Sequence, residues 1–259
     1  MTDSLDRFAQ QYLKFEDERT RPVRDLLAAV PQAPLSSVID LGCGPGNSTE
    51  VLGALAPNAA IRGLDASADM IEAARKRLPA VRFDVMDITQ WDEPGTYDLI
   101  LSNAVMQWLP SHDTLFPKLI GKLNSGGHFA VQMPDNVDEP SHRLMREVAA
   151  NGPWADRLKN TGRTAHFDPR HYYMLLSPLC SRVDVWRTTY YHPMRGGADA
   201  VVEWFKGSAL RPFLAALNDS ERDAFLARYR DAVAAGYPAL DDGGILLPFP
   251  RLFIVATRK

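Results

Sequence analysis

Three glycines alternate with other residues in the stretch DLGCGPG, which directly follows a run of apolar residues. Gly42, Gly44 and Gly46 come after Asp40 and lead into a segment with helical periodicity. Glycine permits a positive φ and a close approach of a ligand to the backbone. The free N–H groups at a helix start attract an anionic group such as a carboxylate. Because Asp40 can hold an ammonium, the spacing predicts a site for a ligand that carries both charged groups.

Two later carboxylates can complete a nucleoside site. Asp65 lies about twenty residues beyond the glycines, where a carboxylate can accept hydrogen bonds from both ribose hydroxyls. Asp87 can accept a hydrogen bond from an adenine amino group, and Ile88 can pack on the adenine ring. A ribose, an adenine and an amino-acid end together describe S-adenosylmethionine, which is the ligand that these residues predict.

A dinucleotide is the alternative ligand, since it contains the same ribose. The dinucleotide fingerprint requires G-x-G-x-x-G, or alanine in its last position, after the first strand. Gly42 and Gly44 fit this pattern, but Asn47 occupies the third position. An NAD-dependent oxidoreductase is therefore disfavoured, and a module that binds the nucleoside without turnover is a further alternative.

The first half of the chain must place these residues together. From residue 36 to residue 133, strand-like and helix-like segments alternate, which is typical of an α/β fold with a doubly wound, mostly parallel sheet. Ligands bind such sheets beyond the carboxyl ends of the strands, where the strand order reverses. Asp40, Asp65, Asp87 and Asn103 each stand at the end of a predicted strand, so we expect them at this edge.

The second half of the chain has a different pattern. Residues 140–176 are mainly helical by periodicity, and residues 181–192 form a long strand rich in β-branched and aromatic residues. A second helical block at about 195–240 is predicted as an insert that covers one end of the sheet. The apolar segment that follows predicts a strand or a hairpin, with irregular backbone around Phe249 because two prolines flank it.

Composition excludes several classes of protein. The 259 residues carry a net charge of −3 with acids and bases mixed, which gives no basic surface for nucleic acid. No apolar run reaches the roughly 18 residues that a membrane span needs, and the first residues lack a secretory signal pattern. Cys43 and Cys180 suggest neither a disulfide framework nor a metal cluster. We expect a cytoplasmic protein with no membrane, nucleic-acid or protein partner.

Four motifs in order resemble the class I S-adenosylmethionine-dependent methyltransferases: VIDLGCGPGNST, Asp65, DVMDI and YDLILSNAVMQWLP. The resemblance covers roughly residues 36–133. It implies the fold of that family, a seven-stranded sheet with an antiparallel last strand, and S-adenosylhomocysteine as the second product. It also implies that the donor is held by Asp40, Gly42, Gly44 and Gly46 at its methionine part, Asp65 at the ribose, Asp87 and Ile88 at the adenine, and Asn103 near the methyl group.

Further strings along the chain resemble the bacterial trans-aconitate 2-methyltransferases: YLKFEDERTRP, MQWLP, VQMPDN, LMREVA, VDVWRTTYYH, LRPFL and FPRLFIVA. This resemblance implies methyl transfer to one carboxylate of trans-aconitate, which gives a monomethyl ester. It implies an N-terminal helical cap over residues 1–35, which includes Tyr12, and a methyltransferase domain over residues 36–259. Residues 151–169 resemble the family only loosely, so another small carboxylic acid, a hydroxyl compound or an amine is an alternative acceptor. The fourth strand lacks the Asn/Asp-Pro-Pro-aromatic pattern typical of transfer to planar amines.

A carboxylate acceptor is ionised at pH 7, so methyl transfer needs no general base and rests on positioning. We expect no catalytic acid or base and no metal ion. A small polycarboxylate substrate requires cations, and arginine pairs bidentately with carboxylates. The candidates outside the donor site are Arg19, Arg21, Arg187, Arg195, Arg211 and Arg251. We favour Arg211 and Arg251, because proline and apolar neighbours are poor contexts for a surface charge, and add Tyr12 from the cap.

Overall fold

The structure, a computed structural model, describes residues 16–162 and 168–259. Within these residues one sheet of seven strands has the order β3-β2-β1-β4-β5-β7-β6. The strands are β1 (Ser37–Leu41), β2 (Ala60–Asp65), β3 (Arg82–Val85), β4 (Tyr97–Asn103), β5 (Leu123–Pro134), β6 (Cys180–Met194) and β7 (Ile245–Arg258). The first five strands are parallel, and β7 runs antiparallel between β5 and β6. The predicted α/β class and its doubly wound, mostly parallel seven-stranded sheet are confirmed.

Helices connect the strands and cover the sheet. They are α1 (Glu16–Ala28), α2 (Asn47–Leu55), α3 (Ala68–Arg77), α4 (His112–Gly121), α5 (Pro140–Ala150), α6 (Ala155–Leu158), α7 (Pro169–Leu176), α8 (Gly197–Lys206), α9 (Arg211–Ala215) and α10 (Asp219–Gly236), with a 3₁₀ turn at Met106–Trp108. The N-terminal helical segment predicted from the sequence is present as α1. Among the described residues, no helix has the length and apolar character that crossing a membrane requires.

The two faces of the sheet carry separate apolar cores, because successive side chains of a strand point to opposite faces. On one face Val38 and Leu99 pack against Leu26 of α1 and Leu52 of α2. The other face packs against α4 and α7, through Ile39, Ile100 and Phe129 from the strands and Phe116 and Tyr172 from the helices. These two layers hold the parallel strands in register, so that their carboxyl ends form one edge.

The strand order reverses at β1, which pairs with β2 on one side and with β4 on the other. The loops that follow β1 and β4 therefore lead to opposite sides of the sheet and leave a crevice between them. Gly42, directly after β1, and Asn103, at the end of β4, lie on the two sides of this crevice. The fold thus brings together two predicted site residues that are far apart in sequence.

A third apolar core lies beyond the carboxyl end of β5. Arg251 pairs with Pro134 at the end of β5, so the residues of β7 before Arg251 extend past that strand. Phe249 in this extension packs with Trp204 and Phe205 of α8, in a cluster that also contains Phe225 of α10. The predicted helical block at about 195–240 contains α8, α9 and α10, which pack here next to the edge where the crevice opens.

The irregular backbone predicted around Phe249 is wrong, since β7 is continuous from Ile245 to Arg258. Pro250 accepts a hydrogen bond from the Asp135 N–H on the β5 side, so its missing N–H lies on that side and not toward β6. Pro248 has the same orientation because it lies two residues away. Since β5 ends at Pro134, the two prolines remove no ladder hydrogen bond, and β6 still pairs along the whole segment.

Candidate active site

The three glycines of the turn after β1 all adopt positive φ values, 71° at Gly42, 54° at Gly44 and 92° at Gly46. A Cβ atom at Gly42 would lie 2.2 Å from a methyl group of Val105, so packing alone requires glycine there. A Cβ atom at Gly46 would lie 3.5 Å from Ala74 of α3. At Gly44 no heavy atom lies within 4 Å of that position. Gly44 therefore faces space that a ligand can enter.

Asp40 is fully buried at the end of β1. Its Oδ2 accepts hydrogen bonds of 2.7 Å from both the Ser48 and the Thr49 hydroxyls. Burial raises the pKa of the Asp40 carboxyl to about 6, although the two hydroxyls oppose this shift, and the group is mostly ionised at pH 7. Its Oδ1 is also buried and accepts no hydrogen bond from the described residues. A buried anionic oxygen with spare acceptor capacity suits an ammonium group, and the role of Asp40 toward the ligand stays a prediction.

Asp65 lies at the end of β2, against the glycine turn. Its Oδ2 accepts a hydrogen bond of 2.9 Å from the Gly44 N–H, and its Oδ1 accepts one of 2.9 Å from the Ser67 N–H. These bonds fix the carboxylate, and each oxygen keeps a second lone pair for a further donor. Asp65 is therefore preorganised to accept hydrogen bonds from a pair of hydroxyls.

Asp87 and Ile88, the predicted adenine residues, follow β3. Asp87 is exposed, and its Oδ1 accepts hydrogen bonds from the Thr89 N–H at 2.8 Å and the Thr89 hydroxyl at 2.7 Å. These bonds keep the pKa of the Asp87 carboxyl below its usual value. Ile88 is 6% exposed and packs in the core, which leaves little surface for a ring. Val85, which pairs with Asp65 in the ladder, is 50% exposed and offers more apolar surface beside the ribose position.

Two spaces open at the crevice. A narrow turn cleft of about 20 Å³ is bounded by Gly42, by residues of the turn after it and by Thr20 and Val23 of α1. A much larger cavity of about 680 Å³ lies between the ends of β4 and β5 and the helices α5, α8 and α9. Asn103 lines both spaces, so the cavity begins where the turn cleft ends. The volume of the cavity is in the range of small-molecule sites.

The cavity is cationic. Among the described residues of its wall there are three arginines, Arg146, Arg211 and Arg251, and no aspartate or glutamate. The remaining wall is largely apolar and aromatic, with Trp108, Trp204 and other rings. We call this space the arginine cavity. Its charge suits a small molecule with several carboxylates, because each buried anion requires a cation or a donor.

Arg251 is 3% exposed on β7. Its Nη1 donates a hydrogen bond of 2.5 Å to the side-chain oxygen of Gln132 on β5, and the Gln132 amide donates one of 3.3 Å to Asn103 Oδ1. The guanidinium also lies 4.7 Å from the centre of the Phe249 ring and 5.9 Å from that of Tyr190. A hydrogen-bonded path thus links Arg251, predicted to bind the acid, with Asn103, predicted to lie near the methyl donor.

His192 of β6 lies behind the aromatic wall and stacks on Trp204 with ring centres 4.9 Å apart. Burial, and then the nearby Arg251 and Arg21, lower the pKa of the His192 ring to about 4. The ring is therefore neutral at pH 7. The positive charge on this side of the arginine cavity comes from Arg251 and not from His192.

The other sequence candidates lie in different places. Arg211 begins α9 and lines the arginine cavity, but its side chain is exposed, so the expectation that it is shielded like Arg251 is wrong. Leu210 and Phe213 take the buried positions of that turn instead. Arg187 forms an ion pair with Asp135 at 2.6 Å.

Arg195 is exposed and does not line the cavity. Arg21 lies on α1, 3.9 Å from a carboxylate oxygen of Asp25. Tyr12 and the side chain of Arg19 lie outside the described part of the structure. Of the predicted acid-binding residues, the structure therefore brings Arg211 and Arg251 together at one cavity.

Several residues of the arginine cavity were missed by the sequence analysis. Arg146, His142 and Met145 share one face of α5 and line the cavity, as does Asn136 before that helix. The signal in the sequence was a helical face that carries His142 and Arg146 beside Met145. It could not place these residues at the cavity, because their position over the sheet depends on the tertiary fold. No cluster of three or more potential metal ligands occurs in the described residues.

Comparisons with known proteins agree with this geometry. Residues 38–127 match a family described as a methyltransferase domain. The trans-aconitate 2-methyltransferase of Agrobacterium fabrum is 51% identical over 97% of this chain and 98% of its own length, and that of Rhodopseudomonas palustris is 51% identical over 96% and 98%.

The chain belongs to the trans-aconitate 2-methyltransferase family. The fold also resembles a phosphoethanolamine N-methyltransferase of Haemonchus contortus in complex with S-adenosylhomocysteine, with a TM-score of 0.55 and 16% identity over 92% of this chain and 52% of that one. This methyltransferase uses S-adenosylmethionine as its methyl donor. The alternative of an NAD-dependent oxidoreductase is not supported.

Replacing Asp65 with alanine in this methyltransferase is expected to weaken donor binding about tenfold or more. Hydrogen bonds to a charged group contribute about 1.5–3 kcal/mol each, and 1.4 kcal/mol is a factor of ten. Calorimetric titration with S-adenosylhomocysteine measures the effect. Asp69→Ala, which removes an exposed carboxylate from α3, is the matched control. Equal dissociation constants for Asp65→Ala and the unmodified protein would exclude Asp65 from the ribose site.

Proposed function

We propose that this methyltransferase transfers the methyl group of S-adenosylmethionine to one carboxylate of trans-aconitate and so produces a monomethyl ester. The observation that carries the proposal is the arginine cavity, in which three arginines and no carboxylate among the described residues adjoin the glycine turn. The relatives that match almost the whole chain are trans-aconitate 2-methyltransferases, which supports the same substrate.

The donor is proposed to bind along the crevice at the carboxyl ends of β1, β2 and β3. Asp40 and the three glycines hold its amino-acid end, Asp65 its ribose, and Asp87 its adenine amino group. The exposed Val85, rather than the buried Ile88 predicted from the sequence, offers the apolar surface for the adenine ring. Bound there, S-adenosylmethionine supplies an electrophilic methyl group on a sulfonium. Asn103 lies where the turn cleft meets the arginine cavity, so we assign it to the junction of the donor and acid sites.

Arg251 and Arg211 are proposed to hold the carboxylates that are not methylated, and Tyr12 of the N-terminal cap is a further proposed contact. A bidentate contact fixes the direction of a carboxylate as well as its position. Since Arg251 is held by Gln132, it offers a cation whose orientation is set before the acid binds. The helical block at about 195–240 is proposed to cover the site, with α8 and α9 forming one wall of the cavity.

The reaction needs no proton transfer, because the attacking carboxylate is ionised at pH 7. His142 lines the cavity, and the proposed reaction leaves it no proton to accept. The residues contribute by orienting the acid, neutralising its charges and excluding water with the aromatic wall. Such positioning can lower a barrier by several kcal/mol.

The test is incubation of the full chain with methyl-labelled S-adenosylmethionine and a panel of di- and tricarboxylic acids, hydroxyl compounds and amines. We expect a labelled monomethyl ester of trans-aconitate, identified by mass, with the highest kcat/KM in the panel. Preferred labelling of a hydroxyl compound or an amine would overturn the proposed acceptor. Binding of S-adenosylhomocysteine without turnover of any compound would favour a module that only holds the nucleoside.

A further inference from the structure

Arg146 of α5 is a cation of the arginine cavity that the proposed mechanism leaves unassigned. His142, Met145 and Ala149 occupy the buried face of this helix, and Arg146 lies next to that face. Its side chain is half-buried and lines the cavity. A guanidinium is seldom placed against an apolar wall without a partner, because its desolvation is unfavourable.

Arg143 of the same helix shows the contrast. It is exposed and forms an i,i+4 ion pair with Glu147 at 2.9 Å, which is the usual arrangement for a charge on a helix surface. Arg146 makes no ion pair or hydrogen bond with the described residues, nor does any aspartate or glutamate share the described cavity wall with it. The side chain is therefore available to an anion that enters the cavity.

The three arginines reach the cavity from three separate elements, α5, α9 and β7. They surround one space and cannot all be satisfied by a single carboxylate. A dicarboxylate can pair with only two of these guanidiniums through its own carboxylates, whereas a tricarboxylate can supply one anion for each.

Resting on the proposed function, we infer that Arg146 is a specificity-determining residue, which binds one carboxylate of the acid and so favours tricarboxylates over dicarboxylates. Arg211 and Arg251 bind the acid through the other two groups. Methylation removes one negative charge from the acid, so the ester product has one fewer ion pair than the substrate. The site that selects the tricarboxylate therefore binds the ester product less tightly.

The experiment combines substitutions at Arg146, and a control substitution at Arg143, with four acids. Mesaconate, itaconate and cis-glutaconate each keep two of the three carboxylates of trans-aconitate in their original geometry, and each lacks a different one. The KM for trans-aconitate and the inhibition constants of the three dicarboxylates against it are measured for the unmodified protein, Arg146→Ala, Arg146→Lys and the matched control Arg143→Ala. Titration with S-adenosylhomocysteine reports the donor site of each variant.

We expect Arg146→Ala to raise the KM for trans-aconitate at least about tenfold, since a charge-assisted contact is lost. Since Arg211 and Arg251 hold the carboxylates that are not methylated, the partner of Arg146 is the methyl acceptor, and the dicarboxylate that lacks it acts as an inhibitor. Its inhibition constant should change less than threefold, and Arg146→Lys should recover part of the loss for trans-aconitate. Donor affinity and all parameters of Arg143→Ala should stay unchanged.

A proportional loss with all four acids, or no loss with any, would overturn the inference, because a merely structural role does not depend on which carboxylate is present. Either result leaves the proposed function intact. Failure of the unmodified protein to methylate trans-aconitate would instead overturn the proposed function, and this inference with it.

Discussion

Replacing Arg251 with alanine is expected to raise the Michaelis constant for trans-aconitate about a hundredfold or more. Two charge-assisted hydrogen bonds, each contributing at least about 1.5 kcal/mol, amount to roughly two factors of ten in affinity. The loss is not softened by solvent, because Arg251 is 3% exposed. Affinity for S-adenosylhomocysteine should change little, since Arg251 is linked to Asn103, the residue proposed to lie beside the donor, through the intervening Gln132.

Three comparisons sharpen this test. Arg251→Lys should recover only part of the loss, because lysine restores the charge but not the planar fork. Arg211→Ala should have a smaller effect, because the exposed Arg211 side chain is surrounded by water, which weakens its attraction to a carboxylate. Arg195→Ala, an exposed arginine away from the cavity, is the control that should behave like the unmodified protein. Unaltered kinetics of Arg251→Ala, with its thermal stability preserved, would place the acid elsewhere.

Replacing Gly44 with valine is expected to lower donor affinity at least about a hundredfold. The backbone at Gly44 has a φ of 54°, which a β-branched residue adopts only with strain of about 1–3 kcal/mol. Its side chain would also fill the open space where the donor must approach the backbone. Titration with S-adenosylhomocysteine measures the loss, and far-UV circular dichroism should stay native.

Gly126→Val separates backbone strain from loss of the ligand site. Gly126 also has a positive φ, 77°, and no heavy atom within 4 Å of its missing Cβ, but it lies at the exposed start of β5. The two variants should therefore lose similar stability while only Gly44→Val loses donor affinity. Unchanged donor binding by folded Gly44→Val would remove the glycine turn from the donor site.

The donor side could be predicted from the sequence because its residues follow local rules. Asp40 and Asp65 end predictable strands, and the strand order of an α/β sheet brings such ends to one edge. The contacts that orient these residues could not be predicted from the local sequence. Asp65 is held by the N–H of Gly44, a pairing between different loops that only the coordinates reveal.

The acid side was predicted in part, because it assembles across the tertiary fold. Arg251 could be inferred from its apolar neighbours, yet the same argument failed for the exposed Arg211. The partners of Gln132 and Arg146 could not be predicted, since they depend on where β7 and α5 lie relative to β5. A polar residue within an apolar strand, such as Gln132, marks a place where such tertiary partners should be sought.

The prolines of β7 have a consequence for the behaviour of the protein at high concentration. Beyond the end of β5, β6 and β7 continue as a two-stranded ribbon, and a ribbon edge with free N–H groups is a template for a strand from another molecule. Pro248 and Pro250 have no N–H to donate at the β7 edge. Pro193 of β6 pairs with Leu246, which has the same orientation as Pro248, so the missing N–H of Pro193 lies at the outer edge of β6. At these three positions the ribbon offers no N–H to a strand from another molecule, which disfavours intermolecular strand addition there.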